Sequence, residues 1–365
     1  MQIGEPKHAT PELIRRALTD NLSGLSLYPA TAGSPALREA IAAWLTLRYG
    51  LTGINPDTHV LPVNGSREAL FAIAQVVVDA SRAGATVICP NPFYQIYEGA
   101  ALLAGASAYF VNADDSAEHL TCYSAIPDAV WSRTQLLYAC SPGNPTGRVM
   151  SLDEWKVLFE LSERHGFVIA ADECYSELYP DETKPPLGAL EAATRLGLQD
   201  YRRLIVFSSL SKRSNAPGMR SGFVAGDAEI IKAFLLYRTY HGSAMNPAVQ
   251  AASVAAWSDE EHVRANRLLY AEKYRAVFPL FSRPLETSLP DGGFYLWIKT
   301  PGDDAAFARN LYAAYNVMVL PGSFLARETH GGNPGRGFIR IALVSSLTEC
   351  VEGCRRIMEF ASQLN

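Results

Sequence analysis

Apolar residues recur at helical spacing in SPALREAIAAWLTLR, residues 34–48. A stretch containing Gly and Pro then leads into the extended run HVLPV and a second helical pattern, SREALFAIAQVVVDA. The order is helix, strand, helix. Short apolar runs continue at TVICP, SAYFVN, QLLYACSP, FVIAADE, RLIVFSSLS and SGFVAG, several of them separated by helical segments such as LDEWKVLFELSERH. Alternation of this kind predicts an α/β fold, a mostly parallel sheet covered by helices on both faces. After about residue 258 the pattern changes to a long charged amphipathic stretch, DEEHVRANRLLYAEKYRAVFPLF. Strand-like GGFYLWIKT, VMVLPG and GFIRIALV follow, then a closing helix near 347–363. This predicts a second, smaller α+β part. The expected division is a large domain over 30–258 and a small one built from 1–29 and 259–365. No stretch rich in Pro, Gly or Ser marks the boundary, so the two are expected to pack closely.

A length of 365 residues accommodates two such domains. Hydrophobic residues at 48% and charged residues at 19% lie in the globular range. The net charge of -5 supplies no basic field for a nucleic acid or an anionic membrane, so local positive charge is expected to serve small anions. No apolar run approaches the roughly 20 residues that span a bilayer, and the opening MQIGEPKHAT lacks a secretory pattern. The six cysteines are scattered, without disulfide-scaffold density or paired CxxC spacing, which fits reduced thiols in a cytoplasm. Cys350 and Cys354 lie one helical turn apart, but no second pair accompanies them, so packing is expected there and no metal site.

Five segments carry candidate chemistry. In SSLSKRSNAPGMRSG, residues 208–222, Lys212 follows a buried strand among hydroxyls, with Arg220 eight positions on. An amine so placed can form an imine with an aldehyde, and the hydroxyls and guanidinium suit a phosphate on the same molecule; the alternative is a surface-loop lysine. After HVLPVN, residues Gly65, Ser66 and Arg67 open a helix whose N-terminal amides can bind an anion, although Ser is also an ordinary N-cap. In FVIAADECY, Asp172 follows apolar residues that should bury it. Its partner is then a protonated pyridine nitrogen, a salt bridge or a helix cap, while Tyr175 could reach a ring oxygen. CSPGNPTG, residues 140–147, fixes Asn144 in a turn, where its amide can donate to a phenolic oxygen. PNPFYQIY, residues 90–97, offers Phe93, Tyr94 and Tyr97 for stacking on a flat ring or for the core.

These five segments, in this order and over nearly the whole chain, resemble the class I/II aminotransferases of the fold type I pyridoxal-phosphate enzymes. The resemblance implies pyridoxal 5'-phosphate as cofactor and Lys212 as its attachment point and proton shuttle. It further implies Asp172 on the pyridine nitrogen, Tyr175 and Asn144 on the ring oxygen, and Tyr94 stacked on the ring. Gly65, Ser66, Arg67, Ser209, Ser211 and Arg220 would form the phosphate cup, with Tyr28 of YPATAGSPALR reaching the phosphate of a neighbouring subunit. A homodimer with shared active sites follows. Arg340 in GFIRIALV would grip the substrate α-carboxylate, a task for a planar bidentate donor, beside Asn144, Gly4 of the IGEP segment and Gly33. Members of the family usually carry further residues ahead of IGEP, which implies a truncated or misassigned start and leaves any N-terminal dimer arm open. Ser221 stands where the family prefers an apolar residue.

Within the family, SLSKRSNAPGMRSGFVAGD, IGEPKHATP and YPATAGSPALREAI are similar to the succinyldiaminopimelate transaminases of lysine biosynthesis. That implies amino transfer between N-succinyl-LL-2,6-diaminopimelate and 2-oxoglutarate, both small-molecule substrates, with Arg213, Arg148 and Arg336 as candidate readers of the distal carboxylate. The rivals are an aspartate or other amino-acid aminotransferase, a pyridoxal-phosphate β-lyase of the same fold, and a ligand-sensing regulator. The last would need a DNA-binding region that this chain lacks.

Overall fold

The computed structural model describes residues 1–114, 121–198 and 200–364. Seven strands form the larger sheet: β1 (Val60–Val63), β2 (Thr86–Asn91), β3 (Ser107–Asn112), β4 (Thr134–Cys140), β5 (Val168–Asp172), β6 (Leu204–Ser209) and β7 (Gly222–Gly226). Their spatial order is β1-β7-β6-β5-β4-β2-β3. β7 runs antiparallel to both neighbours and the others run in one direction. Each central strand is buried along nearly its whole length because helices cover both faces, which is why these runs are apolar without alternation. One core cluster lies on each face: Trp155, Leu158 and Ile169 belong to one, Leu70, Tyr97 and Phe207 to the other.

Local signals place the helices. Ser34 caps the helix Pro35–Tyr49, accepting from Leu37 N at 3.3 Å, and Gly50 ends it in the left-handed conformation. Ser151 and Glu154 form a reciprocal capping box at the start of Leu152–His165. A second sheet, β8 (Tyr295–Lys299), β10 (Phe338–Ala342) and β9 (Leu320–Pro321), is antiparallel throughout. On β10 the period of two sends Ile339 and Ile341 into a core with Ile357 and Cys354, and turns Arg340 to the other face. The run VMVLPG contributes only the two residues of β9.

The first residues of the chain join this second sheet, with Met1 O accepting from Ala342 N at 2.7 Å. The helix Glu12–Asp20 instead packs on Pro247–Trp257. Cys350 and Cys354 are buried packing residues beneath Met1. Among the described residues no helix is long and apolar enough to cross a membrane, and no group of His, Cys, Asp and Glu could hold a metal ion.

Candidate active site

The six co-directional strands of the larger sheet end on one edge, where residues distant in sequence meet. β1 runs into Gly65 and Ser66, β2 toward Tyr94, β4 into the turn carrying Asn144, β5 ends on Asp172, and β6 leads to Ser209 and Lys212. β7 begins from the same edge, just after Arg220. Ligands in open α/β sheets bind at this carboxyl edge. Here it opens into a cavity of about 820 Å³ lined by Ser66, Arg67, Tyr94, Asn144, Asp172, Tyr175, Ser209, Ser211, Lys212 and Arg220, closed from the second sheet by Tyr295, Leu320 and Arg340 and from the chain start by Gln2, Ile3, Gly4 and Glu5.

Lys212 is half-buried on the four-residue helix Leu210–Arg213, and its Nζ donates to Gly4 O at 2.9 Å. It lies 5.7 Å from the Phe294 ring centroid. Burial lowers its pKa, and Arg67 and Arg220 push the same way against Cys174 and Glu5, so the neutral amine is more accessible than in an exposed lysine. Asp172 is buried, and among the described residues it forms neither a salt bridge nor a helix cap. Its Oδ2 accepts from Tyr97 Oη at 2.7 Å and its Oδ1 from Cys174 N at 3.2 Å. Burial raises its pKa, because no cation faces it closely enough to offset the desolvation. Tyr97 therefore stands behind the carboxylate, stacked on Tyr138, and is not a ring-stacking residue of the cavity. Phe93 is core, which leaves Tyr94, of these three aromatics, at the cavity wall.

At the opposite wall Arg340 Nη1 donates to Asn144 Oδ1 at 2.8 Å and Nη2 to Gln2 O at 3.1 Å. A guanidinium only donates, so the atom of Asn144 facing it is the oxygen and the amide NH₂ is left as a donor. Arg340 Nε is buried with no partner. The ring of Tyr295 lies 4.2 Å from the guanidinium, and its hydroxyl is 3.0 Å from that of Tyr175. A Cβ on Gly4 would fall 1.8 Å from the Tyr295 hydroxyl, so only glycine lets the chain start approach this closely.

The hydroxyl-rich end is built from three turns. Gly65, at φ +84, caps the helix Ser66–Val77, which makes Ser66 its first residue, and Ser66 accepts from Cys174 Sγ at 2.9 Å. A Cβ on Gly65 would meet the Arg220 guanidinium at 2.3 Å. Ser209 donates to Ser211 at 2.9 Å, and Arg67 reaches the Tyr94 hydroxyl. Helix N-terminal amides, hydroxyls and guanidinium groups together make an anion site. Ser221, polar where an apolar residue was expected, bonds Ser253 Oγ at 2.7 Å in a buried pocket.

Three expected site residues lie outside the cavity lining of the single chain: Tyr28, Gly33 and Gly65, the last of which adjoins it under Arg220. Tyr28 is fully exposed, amid exposed Leu22, Leu25 and Leu27. Gly33, at φ +74, is buried against Pro62. The three candidate distal cations are all engaged elsewhere. Arg213 is buried against Glu260 and the Trp257 ring, Arg148 pairs with Glu154 at 2.6 Å behind Asn144, and Arg336 is on the surface with Glu328 at 3.1 Å. Arg213 is corrected to a structural residue, since its neighbour Lys212 takes the cavity side. Tyr295 and Cys174 were not among the site residues expected from the sequence, and Tyr97, expected as a stacking or core aromatic, instead backs Asp172; the Gly-Gly ahead of FYLWIKT was the one available hint for Tyr295.

A sequence profile of the aminotransferase class I and II family matches residues 1–357. An aminotransferase from Neisseria meningitidis superposes with a TM-score of 0.96 and 52% sequence identity, over 99% of this chain and 91% of that one. An LL-diaminopimelate aminotransferase from Dehalococcoides mccartyi is 32% identical over 369 residues, 99% of this chain and 90% of its own length. A probable N-succinyldiaminopimelate aminotransferase from Thermus thermophilus superposes with a TM-score of 0.86 at 26% identity, over 99% of this chain and 94% of that one.

Proposed function

This chain belongs to the aminotransferase class I and II family, which depends on pyridoxal phosphate, and from that premise we propose that it moves an amino group between N-succinyl-LL-2,6-diaminopimelate and 2-oxoglutarate. The observation that carries amino transfer is one cavity that gathers Lys212, the buried Asp172 and Arg340, whose buried Nε has no partner among the described residues. Pyridoxal phosphate fits these residues. A protonated ring nitrogen answers the desolvated Asp172, and a phosphate answers Ser66, Ser209, Ser211 and Arg220, with Gly65 leaving room for the arginine.

When bound, the cofactor supplies an aldehyde that takes up the substrate nitrogen and a ring that accepts electrons from the substrate Cα. In this reading Lys212 Nζ would hold the cofactor's aldehyde carbon and, when free, would take the proton from the substrate Cα. Asp172 would keep the ring nitrogen protonated, Asn144 and Tyr175 would donate to the ring oxygen, and Tyr94 would cover the ring. Arg340 would orient the substrate through its α-carboxylate, with Asn144 and Gly4 shaping that side. The donor's oxo acid leaves before the acceptor enters, so the kinetics are ping-pong.

The diaminopimelate skeleton is supported by the likeness to the Dehalococcoides and Thermus proteins. The former supports a second reading, with free LL-diaminopimelate as donor. The aspartate-type and β-lyase alternatives differ in substrate or product. The fully exposed Tyr28 beside exposed leucines supports a homodimer in which Tyr28 completes the partner's phosphate cup. A division at 29/30 and 258/259 and a cytoplasmic location belong to the same proposal. The test is the absorbance of the bound cofactor on adding each donor in turn, followed by 2-oxoglutarate. A response to N-succinyl-LL-diaminopimelate that 2-oxoglutarate reverses supports the reading. A response to LL-diaminopimelate or aspartate alone refutes the succinyl assignment, and release of ammonia refutes aminotransfer.

A further inference from the structure

The short helix that carries Lys212 does not satisfy its own end. Helices leave their last carbonyls without intrahelical partners, and Leu210–Arg213 has only one turn. The missing donors come from Asn266 on the helix Glu261–Val277, 54 positions later. Its Nδ2 donates to Lys212 O at 3.1 Å and to Arg213 O at 3.3 Å. Its Oδ1 accepts from Asn215 Nδ2 at 2.8 Å and from His8 Nδ1 at 3.0 Å. With two donors and two acceptor lone pairs, the amide is fully used, and the residue is 3% exposed.

The proton on His8 is assigned by its other neighbour. Lys273 Nζ lies 2.7 Å from His8 Nε2, and an ammonium only donates, so Nε2 accepts and Nδ1 carries the hydrogen given to Asn266. Burial lowers the His8 pKa and Lys273 lowers it further against the Asn266 bond, which keeps the ring in this neutral form. The segment bearing His8 also carries Gly4, whose carbonyl takes the Lys212 amine, and Thr10, which donates to Asn215 O at 2.7 Å. One amide thus ties down both the root of Lys212 and the segment that meets its tip. The same helix adds a second brace. Ser214 Oγ lies 2.8 Å from His262 Nε2, and His262 Nδ1 lies 2.6 Å from Asp259. Ser214 is completely buried, so this array holds the backbone and is not a nucleophile.

We infer that Asn266 is a positioning residue for Lys212, fixing the lysine's main chain and, through His8, the N-terminal segment that receives its amine. The inference rests on the reading of Lys212 as the cofactor's attachment point. It acts chiefly on the approach of the amine and reaches the carboxylate site only through Gln2 of the same segment, which accepts from Arg340 at 3.1 Å.

The test mixes cofactor-free enzyme with pyridoxal phosphate and follows covalent capture by absorbance, as the amine condenses with the aldehyde and one water leaves. Borohydride reduction and peptide mapping then identify the lysine. Asn266→Ala and Asn266→Asp, which both lose the two donated bonds, are expected to slow capture by about tenfold or more. kcat should fall in parallel while KM stays within about twofold. His8→Asn, which keeps a donor toward Asn266, should recover most of what His8→Ala loses. Capture on Lys212 at an unchanged rate in both Asn266 variants overturns the inference alone, as does a His8→Asn variant no better than His8→Ala. If the Asn266 variants do not fold, the His8 pair decides. Capture by another lysine in the parent enzyme overturns the Lys212 reading and the inference with it.

Discussion

Glu173, adjacent to Asp172 but facing away from the cavity, sets up a pH-dependent stability that a single isosteric substitution should remove. It is 3% exposed, with Oε1 accepting from Ala189 N at 2.6 Å and Oε2 from Tyr49 Oη at 3.2 Å. The nearby Arg48 is committed to Glu177 at 2.8 Å. Burial without a dedicated cation pushes the carboxyl from 4.5 up to about 7. The folded chain then keeps a proton that the unfolded chain has already lost, so stability is full below 4.5, falls as pH rises toward about 7, and loses nothing further above it. The gap of about 2.5, at about 1.4 kcal/mol for each tenfold change in proton affinity, amounts to about 3 kcal/mol, of which about 2.5 falls between pH 5 and pH 8. Glu173→Gln keeps the acceptor for Ala189 N and presents its NH₂ to Tyr49, while carrying no titrating proton. Urea unfolding of the cofactor-free parent and variant at pH 5 and pH 8 measures the double difference, in which every other titrating group cancels. The variant should gain about 2 to 3 kcal/mol on the parent between the two pH values. An equal difference at both pH values would refute a desolvated, uncompensated Glu173.

Lys212→Ala should reduce kcat by about three orders of magnitude, as expected when a positioned nucleophile and proton carrier is removed, with no covalent capture in the peptide map; turnover near the parent's would sink its assignment. Arg340→Lys replaces a bidentate fork by a point charge and should lower kcat/KM by about thirtyfold or more, chiefly through KM, read by steady-state kinetics with donor and acceptor varied separately. Tyr97→Phe leaves the buried Asp172 with one donor fewer, a cost of about 1–3 kcal/mol, and should raise the carboxyl pKa and weaken cofactor binding in an absorbance titration. Unchanged affinity would mean that Tyr97 does not support Asp172.

The elements that position the site were legible where a local rule was enough. The runs ending at Asp172, Cys140 and Ser209 are apolar along their length and then turn to hydroxyl, amide or carboxyl, because strands covered on both faces tolerate polar groups only where they leave the sheet. That pattern marks Lys212, Asp172, Asn144 and the Ser66 helix start without any three-dimensional information. It says nothing about which arginine meets the cavity. Arg213 and Lys212 are adjacent and both basic, yet one is sealed between Trp257 and Glu260 while the other faces Asp172's cavity, a choice made by the pitch of a one-turn helix packed on residues 256–260.

By itself, then, the order of periodic segments and the residues at their ends determined an α/β chassis and the strand-end positions of Lys212, Asp172 and Asn144, since these depend on local periodicity and on residue type, while the cofactor followed from the resemblance to the family. Only the tertiary structure decided the strand order with β7 reversed, the backing of Asp172 by Tyr97, the partnership of Arg340 with Asn144, and the grip of Asn266 and His8 on Lys212. Those contacts join residues from 54 to 258 positions apart. Hydrogen-bond satisfaction and burial at such separations are properties of the packed chain, and no local pattern encodes them.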